Sequence, residues 1–242
     1  MVERIRKGTP TLTRAAGKTL VFDADDTLWE NNVLFERVID DFMDWLAHPT
    51  LDTASIRSVF NDIEAANTVA HGYGSQVFLR SLGECFARLQ ERPATEAERR
   101  EIDALAVALV EHRVELVPGV ASTLADLGTR HDLLLLTKGQ VTEQQNKVDI
   151  SGLGHHFRSV HIVAEKNVAT YRRLVREESL TPSETWMVGN SPKSDINPAR
   201  LAGLNAVFLP NENTWILEHD DIDPADDGVL RLTRFPELLE HF

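Results

Sequence analysis

The sequence predicts an α/β fold, a parallel five-stranded sheet with helices on both faces and one long helical insertion. Three observations predict it. Five short apolar runs stand at Thr19–Phe22, Leu133–Leu136, Val160–Val163, Trp186–Val188 and Ala206–Leu209. The last four recur about every 20–27 residues, a usual repeat for βα units, with helical periodicity between them. More than a hundred residues separate the first run from the second, and that interval has helical patterns of its own.

In chain order, the run ending at Phe22 is short and oily, as expected of a strand buried on both faces. In VLFERVIDDFMDWLA, Val38, Phe42, Trp45 and Leu46 share one helical face, and in TASIRSVFNDIEAA, Ile56, Val59, Phe60 and Ile63 do the same. Two further helices are expected around Gln76–Leu89 and Glu96–His112. Thr95 and Glu98 have capping-box spacing, and Pro93 stops the helix before them. VPGVASTLADLG then starts the helix that leads back into the sheet. The expected division is a Rossmann-like core of residues 1–28 and 118–242, with residues 29–117 as a helical cap.

The chain has 242 residues and a net charge of −13. So acidic a surface repels phosphate backbones and anionic lipid, which argues against nucleic-acid and membrane partners. No run approaches 18 apolar residues, and Cys85 is the only cysteine, so no internal disulfide forms. A cytoplasmic protein is expected. The acidic run Glu218–Asp227 reads as a solvated loop.

In an open parallel sheet, ligands bind at the carboxyl ends of the strands. After the first run come Asp23, Asp25 and Asp26. Side chains alternate in an extended segment, so Asp23 and Asp25 share a side while Asp26 faces elsewhere. Two convergent carboxylates bind a divalent metal or divide the work of nucleophile and general acid; the plainer alternative is an acidic turn. After the second run, Thr137, Lys138 and Gly139 offer a hydroxyl and backbone N–H groups as a phosphate cradle, or a turn and helix cap. After the third, Lys166 either neutralises charge at a phosphate or is solvated. After the fourth comes GNSPKSDINPA, in which Asn190 and Asp195 offer oxygen ligands of the kind Mg²⁺ prefers. Ser191 caps a helix there, with Pro192 in its first position.

Four reactive clusters ending four successive strands resemble the haloacid dehalogenase superfamily of hydrolases. Its DxDxT pattern is here Asp23-Ala24-Asp25-Asp26-Thr27, its strand-ending Thr or Ser is Thr137, its lysine is Lys166, and its GD pattern with a further Asp is Gly189-Asn190 and Asp195. The insertion resembles that superfamily's C1-type cap. The resemblance implies a Mg²⁺-dependent phosphatase acting on a small phosphorylated metabolite. Asp23 would be nucleophile and metal ligand, forming an aspartyl-phosphate, and Asp25 the acid/base with its carbonyl on the metal. Thr137, Lys138 and Gly139 would hold phosphoryl oxygens, and Lys166 would balance charge. Asn190 departs from the pattern, since the family usually has a metal-binding Asp there; Asn190 and Asp195 are both candidate ligands. The rivals are a phosphomutase, a dehalogenase, which lacks the acid two positions after the nucleophile, and a non-catalytic phosphate-binding protein. Monomer and homodimer are both compatible with the sequence.

Three other features are read as structural. His155-His156 lacks partners at zinc spacing, His71–Gly74 is a turn between cap helices with a possible specificity role, and Trp215 packs rather than stacks on a ligand.

Overall fold

The computed structural model describes residues 3–5, 17–110 and 114–242. Among the described residues nine strands are formed: β1 Glu3–Ile5, β2 Thr19–Phe22, β3 Trp29–Glu30, β4 Glu115–Leu116, β5 Asp132–Lys138, β6 Ser159–Val163, β7 Thr185–Gly189, β8 Asn205–Phe208 and β9 Val229–Arg231. Seven of them make one sheet in the order β1-β6-β5-β2-β7-β8-β9. All of its pairings are parallel except that of β1 with β6. The five apolar runs are the five inner strands. The sheet is wider than the five-stranded expectation because an edge strand is added on each side.

The chain leaves β2 in the middle of the sheet, builds β5 and β6 on one side, then β7, β8 and β9 on the other. The strand order therefore reverses around β2, and the crevice at its carboxyl end is where a ligand is expected. Alternation along the strands serves two cores. Leu20, Phe22, Leu133, Leu135, Val188 and Val207 pack on one face. Val21, Leu134, Leu136 and Met187 pack on the other with Tyr171 and Leu174.

The helices are α1 Asn32–Leu46, α2 Thr53–His71, α3 Ser75–Leu89, α4 Glu96–Leu105, α5 Val107–Val110, α6 Val120–Leu127, α7 Val141–Ser151, α8 Val168–Glu177 and α9 Asn197–Leu201. The chain divides into two compact units, residues 1–32 with 114–242 and residues 33–113. The inserted unit is all-helical around Val38, Phe42, Phe60, Phe78, Leu82 and Phe86. Its expected last helix is broken at Ala106 into α4 and α5, and residues 111–112 of that expectation lie outside the described residues. The Thr95–Glu98 capping box forms with both reciprocal bonds. His71 closes α2, and Gly72 and Gly74 turn the chain into α3 with φ of 84° and 122°. Among the described residues no helix is long and apolar enough to cross a membrane.

Candidate active site

The loop after β2 is shaped by its backbone. The Asp23 N–H continues the sheet by donating to the Val188 carbonyl at 2.9 Å, and the Ala24 carbonyl then accepts from Thr27 and Leu28. Asp26 sits at φ 62°, a left-handed conformation that Asp tolerates better than most residues. Its Oδ1 accepts from the backbone N–H groups of Asn31 and Asn32 at 2.9 Å each, which secures the start of α1. Burial pushes its carboxyl up to about 7. Asp26 is thus structural. Asp26→Ala should cost about 2–3 kcal/mol, from two buried N–H groups left unpaired and a strained φ. Asp26→Asn keeps the acceptor and should lie within about 1 kcal/mol of wild type. Denaturant unfolding of the two variants checks this.

Asp23 and Asp25 have separate sets of partners. Asp23 accepts from the Thr27 hydroxyl at 3.0 Å through Oδ2 and from Lys166 Nζ through Oδ1. Burial, then the Asp195 carboxylate, push Asp23 up to about 7 against the pull of Lys166. Asp25 accepts from Trp29 Nε1 at 2.7 Å, Gln144 Nε2 at 2.8 Å and Lys147 Nζ at 3.0 and 3.1 Å. Burial raises it, but Lys147 and these hydrogen bonds outweigh burial and hold it below the usual carboxylate range.

Lys166 follows β6 and is buried between two acids, Asp23 and Asp195, the latter at 2.8 Å. Burial opposes its charge, but the two carboxylates more than compensate and hold the ammonium above its ordinary range. Past β7, Ser191 caps the turn Pro192–Ile196 as expected, with Ser194 N–H on its hydroxyl at 2.9 Å. That turn is π-helical, a form that recurs at functional sites. It carries Asp195 back over the strand end, where its second oxygen accepts from Ser191 N–H at 3.0 Å. Asn190 points its Oδ1 at the Thr27 hydroxyl, 3.2 Å away, while its amide nitrogen donates to Thr214 at 3.1 Å. Thr214 thereby fixes which end of the amide faces Thr27.

Among the described residues no three His, Cys, Asp or Glu side chains gather to hold a metal. The donors that converge are of another kind. Asp23 Oδ2 and Asn190 Oδ1 both lie within hydrogen-bond reach of one hydroxyl, Thr27. The Asp25 carbonyl accepts no hydrogen bond among the described residues. A carboxylate and an amide oxygen so placed, with a main-chain carbonyl two residues along the chain, are hard oxygens of the kind that fits Mg²⁺.

The predicted phosphate cradle is partly engaged elsewhere. Thr137 is buried at the end of β5, and no hydrogen bond involves its hydroxyl among the described residues. Lys138 instead pairs with Glu218 and donates to Ser194 Oγ at 2.8 Å, and the Gly139 N–H donates to the Val163 carbonyl at 3.0 Å. Glu218 is buried and also accepts from the Ser191 hydroxyl at 2.6 Å, so the acidic run it opens is not wholly solvated. A cavity of about 550 Å³ opens beside Asn190, lined by Pro192, Phe208, Pro210, Asn211 and Thr214 among others. His155 and His156 stack on each other, and Trp215 is half-buried. Thr27 closes the DxDxT pattern and Thr214 lies in the LPNENTW segment after the fifth run; Gln144, Lys147 and Glu218 were not expected in the site, and the signal for the first two is the polar face of α7.

A family model described as haloacid dehalogenase-like hydrolase matches residues 18–203. A phosphoserine phosphatase of Thermus thermophilus is 28% identical over 228 residues, covering 79% of this chain and 88% of that relative. A haloacid dehalogenase-like family hydrolase from Xanthomonas campestris superposes with a TM-score of 0.78 at 24% identity, covering 94% of this chain and 96% of the other. A 2-haloacid dehalogenase from Pseudomonas syringae superposes at 0.60 with 20% identity, covering 93% and 97%. These two likenesses speak for the fold alone.

Proposed function

The chain belongs to the haloacid dehalogenase-like hydrolases, and from that premise we propose that it is a Mg²⁺-dependent phosphatase of a small phosphorylated metabolite. The observation that carries this reading is a second acid, Asp25, two positions beyond Asp23 and held by donors of its own. An alkyl halide needs no protonated leaving group, whereas an alkoxide leaving phosphorus does. The 28% identity to a phosphoserine phosphatase points the same way.

In this mechanism Asp23 attacks phosphorus, an Asp23–phosphorus bond forms, and the bond from phosphorus to the leaving oxygen breaks. The leaving oxygen takes its proton from the Asp25 carboxyl. Asp25, now a carboxylate, removes a proton from the water that hydrolyses the aspartyl-phosphate. Thr137 holds a phosphoryl oxygen, and Lys166 balances the charge of Asp23 and the phosphoryl group. Asp23, Asn190 and the Asp25 carbonyl would hold Mg²⁺, whose charge stabilises ionised Asp23 and offsets its repulsion of a phosphate dianion. Both Asp195 oxygens are already engaged by Lys166 and Ser191 N–H, which supports Asn190 as the direct ligand and Asp195 as the anchor of Lys166. In the substrate-free site Asp23 is raised and Asp25 lowered. A cation beside the first would lower it and a dianion beside the second would raise it.

Hydrolysis of p-nitrophenyl phosphate tests the reading. It should require Mg²⁺, stop on chelation and return on readdition. Halide release from a 2-haloalkanoate without metal, together with no phosphate release, would overturn it.

A further inference from the structure

Helix α7 turns a polar stripe inward where a packing helix would turn an apolar one. Glu143 and Gln144 are buried beside Val148, and Lys147 lies one turn on from them, its side chain 12% exposed. Lys147 Nζ touches both Asp25 oxygens, at 3.0 and 3.1 Å, and donates to Asn31 Oδ1 at 2.7 Å. Gln144 Nε2 bridges Asp25 Oδ2 at 2.8 Å and the Lys138 carbonyl at 2.9 Å. The Gln144 side-chain oxygen is buried with no partner among the described residues. A buried orphan acceptor costs stability, so this glutamine is poorly explained by packing. The backbone makes room for it: Gly139 has φ 144°, and a Cβ there would stand 2.8 Å from Gln144 Nε2.

We propose that Lys147 and Gln144 are positioning residues that fix the orientation of the Asp25 carboxyl for proton transfer to the leaving oxygen. The torsion that rotates an aspartate carboxyl is broad, and a general acid works only within hydrogen-bond reach of its target. Two donors from one helix, with Trp29 on the opposite flank, remove that freedom. None of the three donates to Asp23, so the nucleophile and the acid are oriented independently. This inference rests on the phosphatase reading, because only a reaction that protonates a leaving oxygen gives Asp25 that task.

The test is leaving-group dependence. Substituted phenyl phosphates from p-nitrophenyl to p-methoxyphenyl differ little in size but need increasing help from an acid. In Lys147→Met, kcat/KM for the p-methoxyphenyl ester should fall about 100-fold while the p-nitrophenyl ester stays within about threefold. Lys147→Arg should recover part of the loss. Gln144→Met removes no charge and should steepen the series in the same direction, which carries the test if Lys147→Met fails to fold. An equal loss on every ester, or no loss on any, overturns the positioning role. A wild-type chain that hydrolyses none of the series overturns the phosphatase reading instead, so the two failures are distinguishable.

Discussion

Asp23→Asn should abolish turnover and, with metal chelated, should melt no lower than the wild-type protein. The loss of rate follows from removing the nucleophile and should exceed about 10⁴-fold, since an amide does not form the acyl-phosphate. The gain or parity in stability follows from electrostatics. Asp23 is buried beside Asp195, and those two causes, burial first, push it from 3.8 to about 7 despite Lys166. A carboxyl whose folded pKa lies above its unfolded one contributes stability that is fully present below pH 3.8 and lost as pH rises through about 7. Asparagine removes that dependence. The melting temperature of the variant relative to wild type should therefore rise between about pH 4 and pH 7 and stay level above. Lys166 is not stranded by the change, because Asp195 remains 2.8 Å away. A variant that keeps full activity would end the covalent mechanism. One that melts well below wild type at pH 8 would show that the Asp23 charge serves the fold.

The strands were legible in the sequence for the reason that such a carboxylate is unusual. A strand buried on both faces must be apolar throughout, so LLLL and TLVF announce themselves, and polar residues directly after them stand out. Edge strands carry no such demand. β1 reads ERI and β9 reads VLR, and neither differs from loop sequence. The break at Ala106 was invisible because ALAVALV contains neither glycine nor proline. Within the site, Asp23 and Asn190 follow their strands directly and Asp195 lies in the turn past β7, so each could be picked out one by one. The partners of Asp25 and Lys138 could not, since Lys147 meets Asp25 across 122 residues and Glu218 meets Lys138 across 80. Adjacency to Thr137 suggested a phosphate role for Lys138 and Gly139. In the fold the Lys138 ammonium also meets Glu218 and Ser194, and the Gly139 N–H meets the Val163 carbonyl.

Gly189→Ala should damage both the fold and the candidate site. A Cβ at Gly189 would lie 2.2 Å from Asp195 Oδ2, 2.5 Å from its Cγ and 2.7 Å from its Cβ. The backbone has little room to retreat, because β7 pairs with β2 on one side and with β8 on the other, and Leu209 N–H holds the Gly189 carbonyl at 3.0 Å. Asp195 must yield instead. Moving it breaks the Lys166 contact at 2.8 Å and the Ser191 N–H contact at 3.0 Å, so Lys166 is left with Asp23 alone and the π-helical turn loses its tie. The expected cost is about 3 kcal/mol in stability, the upper part of the range for overpacking. The expected loss of rate is about 100-fold, from a misplaced lysine and Asn190. Gly83→Ala is the matched control: it lies inside α3 with nothing within 4 Å of a new Cβ, so it should stabilise by about 0.5–1 kcal/mol. Opposite signs for one chemical change, read by unfolding of both variants, would mean that Gly189 is required by the carboxylate folded over it and not by its own backbone. Wild-type activity and melting in Gly189→Ala would show instead that Asp195 does not need its place over the strand end.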